Sequence, residues 1–226
     1  MVSAMRILYH SWLSAESRKV RLVLNEKGLE YELKAELYWE RREKFLKLNP
    51  TGEVPVLIEG DGTIISDSAA ISEYIDETHN QSLLMGEGQK QRCEVRRLVG
   101  WFDKKFKTEV TNLMVQEKVL KRFLKMGIPD SETIRCALHN LKIHMAYISY
   151  LSERKNYLAG NEVSMADLTA AGHISVLDYL GDISWEDWPS VKEWYMRVKS
   201  RKSFRSILKD RIAGMTPPLH YEKLDF

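Results

Sequence analysis

The hydrophobic period of the sequence changes near residue 80, and this change constrains the fold more than any other feature. Before that point, short apolar runs that alternate at period two are interspersed with helix-like stretches. After it, apolar residues recur at intervals of three and four. The pattern predicts an α/β unit followed by an all-helical unit.

The α/β part is predicted to follow the order β-α-β-α-β-β-α. Its last two strands flank Gly60-Asp61-Gly62, which is a strong hairpin signal. The strand signals cover residues 6–9, 31–37, 54–59 and 63–65, and the helix signals cover residues 17–27, 41–48 and 67–77.

The helical part contains two amphipathic stripes, over residues 95–113 and 134–151. Residues 166–180 are apolar nearly all round, which predicts a buried central helix. We therefore divide the chain into an α/β domain at 1–80, a linker at 81–88, an all-helical domain at 89–213 and a C-terminal tail at 214–226.

Composition excludes several classes of protein. Hydrophobic residues make up 44% of the chain and charged residues 29%, as in globular proteins with a core. No apolar run approaches the ~20 residues that span a bilayer, and the N-terminus lacks the apolar stretch of a secretory signal. We expect a cytoplasmic protein that does not insert into membranes. Cys93 and Cys136 have no metal or redox spacing, so we expect buried or half-buried thiols.

Other ligand classes find no support in the sequence. The histidines show no metal spacing, and we expect neither a metal site nor a cofactor. Nucleic-acid binding would require a larger basic excess and a known binding module.

The net charge of +2 hides an asymmetry between the two parts. Residues 1–85 carry 10 basic and 14 acidic residues, whereas the remainder carries 24 and 18. Most of the basic excess lies in residues 90–125 and 192–211. It indicates either solvated helix faces or a surface that meets an acidic partner.

Four stretches give the chain a resemblance to the glutathione S-transferase family. They are residues 14–21 at the start of the first helix, residues 49–57 ending in Val54-Pro55-Val56-Leu57, the pair Asp67-Ser68, and residues 157–160 together with 164–167. The resemblance implies the fold of that family, a thioredoxin-like domain followed by an all-α domain.

The resemblance implies a glutathione site as well. Ser14 would donate a hydrogen bond to the sulfur, because catalysis requires a stabilised thiolate and free thiols have a pKa of ~8.5. A cis Pro55 would turn the backbone of Val54 toward the peptide, and Asp67 would also bind the tripeptide. The Ser68 hydroxyl and the nearby N–H groups at the helix start would bind a carboxylate. Ser164 and Asp167 would form a capping box with a structural role only.

Two residues depart from the enzymatic pattern. Glu16 stands near the position where the thiolate would form, and a carboxylate there opposes its negative charge. Glu53 replaces a residue that is often basic. Ser14 also has a simpler interpretation as a helix N-cap. The activity therefore stays open between a glutathione transferase that uses Ser14 and a protein that only binds partners, for which glutathione would be at most a vestigial ligand.

A closer resemblance concerns a branch of bacterial cell-division proteins within that family. It is carried by residues 100–106, 178–182 and 217–226. It implies a non-catalytic homodimer that binds filaments of the tubulin-like protein FtsZ, an acidic partner. The candidate contact residues are Trp39, Lys104, Lys105, Lys107, Leu224, Asp225 and Phe226.

Each of these contact residues has an alternative interpretation. Trp39 could belong to the core, and the lysines could lie on a solvated helix face. Leu219, Tyr221, Leu224 and Phe226 place four large apolar groups in eight residues. Such a tail either docks on the chain's own surface or binds a partner.

Overall fold

The computed structural model describes residues 5–226. Residues 1–4, which belong to the predicted first domain and to the N-terminus where no secretory signal is expected, lie outside the described residues. The predicted order β-α-β-α-β-β-α is confirmed for the first part of the chain. Its elements are β1 (Arg6–His10), α1 (Ala15–Glu26), β2 (Tyr31–Ala35), α2 (Glu43–Leu46), β3 (Val56–Ile58), β4 (Ile64–Ser66) and α3 (Ser68–Thr78).

The four strands form one mixed sheet in the order β2-β1-β3-β4. β1 is parallel to β2 and antiparallel to β3, and β3 is antiparallel to β4. The buried Leu8 of β1 lies between Leu33 of β2 and Leu57 of β3. The pairing of β1 with β3 brings the turn before α1 close to the Val54–Pro55 segment that precedes β3.

The second part of the chain is helical. Residues 89–123 form one continuous helix whose backbone is π-helical over Trp101–Thr111 and Gln116–Leu120. Its α-helical segments and the helices that follow are α4 (Gln89–Gly100), α5 (Asn112–Val115), α6 (Lys121–Phe123), α7 (Ser131–Ser152), α8 (Met165–Leu180), α9 (Pro189–Lys199) and α10 (Arg205–Leu208). α8 is buried from Met165 to Tyr179, so the predicted central helix is confirmed.

The start of α8 is held by the buried carboxylate of Asp167. Ser164 N–H donates to Asp167 over 2.9 Å, and a capping box closes the helix start. The same carboxylate accepts from Leu158 N–H at 2.8 Å and from the Trp194 indole at 2.9 Å. Asp167 thus joins the preceding loop, α8 and α9.

α8 and α1 approach each other closely at Gly172. A Cβ atom on Gly172 would lie 2.8 Å from the carbonyl oxygen of Ala15 and 3.2 Å from the backbone nitrogen of Lys19. Both of those atoms belong to the backbone of α1, so they cannot move independently of the helix. The missing side chain therefore sets the distance between the two parts of the protein.

Three buried cations of α1 reinforce this contact. Arg21 donates to both carboxylate oxygens of Asp210 at 2.8 Å, and Arg18 lies 3.4 Å from the same carboxylate. Lys19 lies 2.6 Å from Asp103 in the long helix. A buried charge is costly without a partner, so these ion pairs determine how α1 sits on the helical part.

The C-terminal tail docks on its own chain. Tyr221 is buried in the core, and its hydroxyl donates a hydrogen bond to the carbonyl oxygen of Ile207 over 3.2 Å. The half-buried ring of Phe226 lies 5.2 Å from that of Trp185, measured between centroids, and the Lys199 amine lies 4.2 Å from the Phe226 centroid. Leu224 remains exposed. The tail therefore combines a structural anchor with outward-facing side chains.

Both cysteines lie on the outer faces of helices. Cys93 of α4 and Cys136 of α7 are exposed, so the expectation of buried thiols was wrong. Helical periodicity in the sequence did not distinguish the outward face at these two positions. None of the helices in the described part of the chain combines the length and apolar content that crossing a membrane requires. Within residues 5–226, no cluster of three acidic, histidine or cysteine side chains could hold a metal ion.

The close approach at Gly172 generates a stability prediction. Gly172→Ala should lower the free energy of unfolding by about 2 kcal/mol, because the added methyl group meets the backbone of α1. Gly100→Ala is the matched control, since its Cβ would meet nothing within 4 Å, and it should be neutral or stabilise by up to about 1 kcal/mol. Urea unfolding followed by circular dichroism measures both. Equal effects of the two substitutions would contradict the tight α1–α8 contact.

Candidate functional site

A cleft runs between the α/β part and the long helix. It contains two adjoining cavities of about 510 Å³ and 410 Å³. Glu16, Glu53, Val54 and Lys107 line both of them, so these residues lie where the cavities meet. Ser14 lines the smaller cavity, and Pro55, Asp67 and Ser68 line the larger one. The structure thus brings together all the residues of the predicted glutathione site.

Ser14 is the N-cap of α1. Its oxygen accepts a hydrogen bond from the Ser17 backbone N–H over 3.0 Å, as expected for a cap. The Ser14 hydroxyl donates a hydrogen bond to Oε2 of Glu16, with 3.1 Å between the two oxygens. A serine hydroxyl has one hydrogen to donate. The bond that would stabilise a glutathione thiolate is therefore already used within the protein.

Glu16 is held in place by an ion pair across the cleft. Its Oε1 lies 2.5 Å from Nζ of Lys107, in the π-helical segment of the long helix. Burial opposes ionisation of Glu16, but attraction to His173 and Lys107 outweighs it and lowers the pKa of this carboxyl. Burial opposes charge on Lys107 as well, yet Glu16 raises the pKa of the amine. Both groups are charged at neutral pH, and the pair connects the two sides of the cleft.

A second ion pair lies at the cleft beside Glu16. Lys19 and Asp103 are 2.6 Å apart, and Nε2 of His173 lies 3.7 Å from Asp103. Burial alone would raise the pKa of Asp103, but Lys19 and His173 lower it to about 2. Nδ1 of His173 is 2.9 Å from the Thr111 hydroxyl. The charges of Lys19 and Asp103 are therefore already matched at this side of the cleft.

The peptide-binding side of the cleft keeps the expected backbone geometry. The Val54–Pro55 bond is cis, which confirms the sequence prediction. Within residues 5–226, neither the N–H nor the C=O of Val54 forms a backbone hydrogen bond. Asp67 caps α3, and its Oδ1 accepts from the N–H groups of Ala69 and Ala70 at 2.8 and 3.0 Å. Asp67 thus occupies N–H groups of the helix start that an incoming carboxylate would use.

The three candidate lysines of the long helix differ in their surroundings. Lys107 is committed to Glu16, and Lys105 forms an ion pair with Glu109 on its own helix. Lys104 is exposed, lines the larger cavity and forms no ion pair with any residue from 5 to 226. Of this group, Lys104 is the lysine whose charge is available to a partner.

Trp39 lies in a 3-10 turn, Tyr38–Glu40, after β2. It is half-buried and lines a third cavity of about 340 Å³. Other residues around this cavity, which sequence reasoning did not single out, are Trp12, Leu37, Phe123 and Arg211. They come from four separate segments, and no local pattern in the sequence links them. Trp39 is therefore neither a core residue nor a freely exposed one.

Comparison with known proteins identifies the family to which this chain belongs. The family model described as glutathione S-transferase, N-terminal domain, matches residues 8–83, and the model described as glutathione S-transferase, C-terminal domain, matches residues 116–202. The chain belongs to the glutathione S-transferase family.

Several members of the glutathione S-transferase family match this chain over nearly its whole length. FtsZ-localized protein A of Caulobacter vibrioides is 43% identical over 228 residues, covering 100% of both chains. The solved structure of FzlA from C. crescentus superposes with a TM-score of 0.96 at 43% identity, covering 99% of this chain and 100% of that one. A glutathione S-transferase from Rhodospirillum rubrum F11 superposes with a TM-score of 0.95 at 51% identity, over 98% and 100% of the two chains.

Because of the Lys19–Asp103 ion pair at the cleft, we expect the stability of the folded protein to depend on pH. A carboxylate with a lowered folded-state pKa stabilises the protein above its unfolded pKa of about 4, and that contribution of about 2 kcal/mol is lost as the pH falls toward about 2. Asp103→Asn should therefore destabilise the protein at pH 7, and its difference from the native protein should shrink below pH 4.

Unfolding curves between pH 7 and pH 3 test this. Lys19→Met combined with Asp103→Leu is the control, since it removes both charges and should recover part of the lost stability. A stability difference between Asp103→Asn and native protein that stays constant over the whole pH range would contradict the assignment.

Proposed function

We propose that this protein is a non-catalytic member of the glutathione S-transferase family that binds FtsZ filaments as a homodimer during bacterial cell division. The observation that carries the proposal is the end-to-end similarity to FtsZ-localized protein A, at 43% identity over 100% of both chains. The homodimer, the acidic filament partner and the cytoplasmic location are parts of the same proposal.

The cleft supports the non-catalytic part. Catalysis in this family would need a free hydroxyl hydrogen to stabilise a thiolate. Here Ser14 donates to Glu16, and Glu16 is charged and paired with Lys107. A thiolate entering this position would have to displace the Glu16 carboxylate or lie next to it. Like charges in close contact disfavour each other, so the cleft disfavours the species on which the reaction depends.

The rival proposal is a glutathione transferase that uses Ser14. It is favoured by the backbone of Val54, which has no backbone hydrogen-bond partner among residues 5–226, and by the position of Ser68 on the cavity wall. The Rhodospirillum rubrum structure, named a glutathione S-transferase, favours it too. Both proposals share one fold and differ in the state of Ser14 and Glu16.

Titration with glutathione separates the two proposals. The native protein should show no binding at millimolar glutathione by isothermal titration calorimetry. Glu16→Ala should bind at least ten-fold more tightly than the native protein, because it frees the hydroxyl of Ser14 and the amine of Lys107. Glu30→Ala is the matched control, since it removes an exposed carboxylate just beyond α1. Micromolar affinity of the native protein, together with conjugation that Ser14→Ala abolishes, would establish the rival.

The surface around Trp39 supports the filament-binding part. Trp39 lies in contact with the ring of Tyr38, with 5.1 Å between centroids, beside the exposed Leu37 and Arg41. Aromatic and arginine side chains are enriched among the residues that dominate protein interfaces. Lys104 adds an available cation on the wall of the neighbouring cleft. Trp39 and Arg41 thus provide an aromatic and basic surface, and Lys104 provides a separate basic contact, both of which suit an acidic partner.

The tail contributes a second candidate contact. Leu224 and Asp225 are exposed, whereas Phe226 packs against Trp185 and Tyr221 belongs to the core. Removing the whole tail would therefore disturb folding as well as any contact. A point substitution at Leu224 keeps the anchor and changes only the outward-facing side chain.

Co-sedimentation with FtsZ filaments tests the contact surfaces. Trp39→Ala should weaken binding about ten-fold or more, as expected for an interface anchor. Lys104→Glu should weaken it several-fold, and more at low salt than at high salt, because the Debye length falls from about 10 Å at 0.1 M to about 3 Å at 1 M. Leu224→Ser tests the tail and should also weaken binding.

Lys90→Glu supplies the matched control, with the same charge change on an exposed lysine at the start of the same helix. Light scattering of each variant checks that the oligomeric state is kept. If Trp39→Ala and Lys104→Glu bind filaments as Lys90→Glu does, the proposed surface is wrong.

A further inference from the structure

An exposed turn joins the long helix to α7. Residues 122–130 are all exposed, and four of them carry large apolar side chains. The exposed fractions are 40% for Phe123, 38% for Leu124, 57% for Met126 and 86% for Ile128. These nine consecutive exposed residues run from the last two residues of the long helix to the residue before α7, and they form a protrusion. Residues 118–129 are called the basic tip below.

The backbone of the basic tip is ordered. Leu124 N–H donates to Leu120 C=O at 2.8 Å, and Met126 N–H donates to Lys121 C=O at 2.9 Å. At the far end, Asp130 N–H donates to the Glu117 carboxylate over 2.6 Å. These bonds hold a turn whose apolar side chains are exposed, with Phe123 at the wall of the Trp39 cavity. Met126 and Ile128 line none of the three cavities described above.

The charged side chains of the basic tip are all basic, and the exposed Asp130 adjoins it. Residues 118–129 contain four cations, Lys118, Lys121, Arg122 and Lys125, and no carboxylate. Lys118 pairs with Asp182, and Lys121 pairs with Glu117 at 2.6 Å. Arg122 and Lys125 form no ion pair with any residue in the described part of the chain. Free cations therefore lie beside the exposed apolar side chains of the tip.

We propose that the basic tip is a peripheral binding site for an anionic phospholipid surface. A protruding turn with apolar side chains at its end and cations around them fits the boundary between headgroups and acyl chains. Long lysine and arginine side chains can reach the phosphates while the apolar groups enter the lipid. A single tip of this size gives weak, reversible binding. The sequence predicts no insertion of a membrane-spanning segment. The basic tip would bind at the lipid surface without crossing the bilayer.

Co-sedimentation of the full chain with lipid vesicles tests the proposal without any filament. The native protein should bind vesicles of equal parts phosphatidylglycerol and phosphatidylcholine at low salt, and should not bind phosphatidylcholine alone. Binding should weaken steeply in 1 M salt. This experiment is independent of the proposed filament role, so its failure would leave that role untouched.

Two variants and their controls locate the contact. Ile128→Asp should weaken vesicle binding about ten-fold or more, whereas Leu219→Asp, which changes an apolar side chain that is 93% exposed in the tail, should not. Lys125→Gln should weaken it about five-fold, and Lys90→Gln should leave it unchanged.

Absence of binding to the anionic vesicles at low salt would overturn the proposal. So would vesicle binding that Ile128→Asp and Lys125→Gln leave intact. If these two variants lose co-sedimentation with filaments but bind vesicles like the native protein, the basic tip is a protein contact and not a lipid contact.

Discussion

The buried cations of α1 are the interaction on which the rest of the structure depends. Arg18 and Arg21 share the Asp210 carboxylate, and Lys19 pairs with Asp103. Each ion would cost several kcal/mol if it were buried without a partner, so the helical part can pack on α1 only where these pairs form. Gly172 permits the approach, since any side chain there would meet the α1 backbone. Hydrophobic contact alone would tolerate sliding between helices, whereas ion pairs with specific partners do not.

The position of α1 then determines the chemistry of the cleft. Ser14 and Glu16 lie at the start of this helix, so the packing that seats α1 also places Glu16 opposite Lys107. The result is a cleft with the geometry of the glutathione S-transferase family in which Glu16 and Lys107 satisfy each other's charge. The cis Val54–Pro55 segment and the cap at Asp67 belong to the common framework. The Ser14–Glu16–Lys107 chain of contacts is what sets this site apart from one that stabilises a thiolate.

Much of the framework was predictable because it depends on neighbours in the sequence. The order of strands and helices follows from hydrophobic period, and the capping box at Ser164 and Asp167 depends on residues three apart. The site residues were predicted as a set through resemblance to the family, and they do line one cleft. Glu16 was predicted to oppose a thiolate from its position alone. Its pairing with Lys107, 91 positions away in the chain, was not predictable.

Hydrophobic period predicted the two-part architecture and the buried central helix, because it acts over a few neighbouring residues. The residues that surround the cleft were predicted through family resemblance. Which charges are free and which apolar groups are covered depends on the tertiary structure. It committed Lys107 to Glu16 and left Lys104 available. It buried Tyr221 of the tail while leaving Leu224 exposed, and it left Ile128 exposed on the turn before α7. The physical reason is that burial and ion pairing depend on which distant segments meet, and a one-dimensional pattern does not contain those distances.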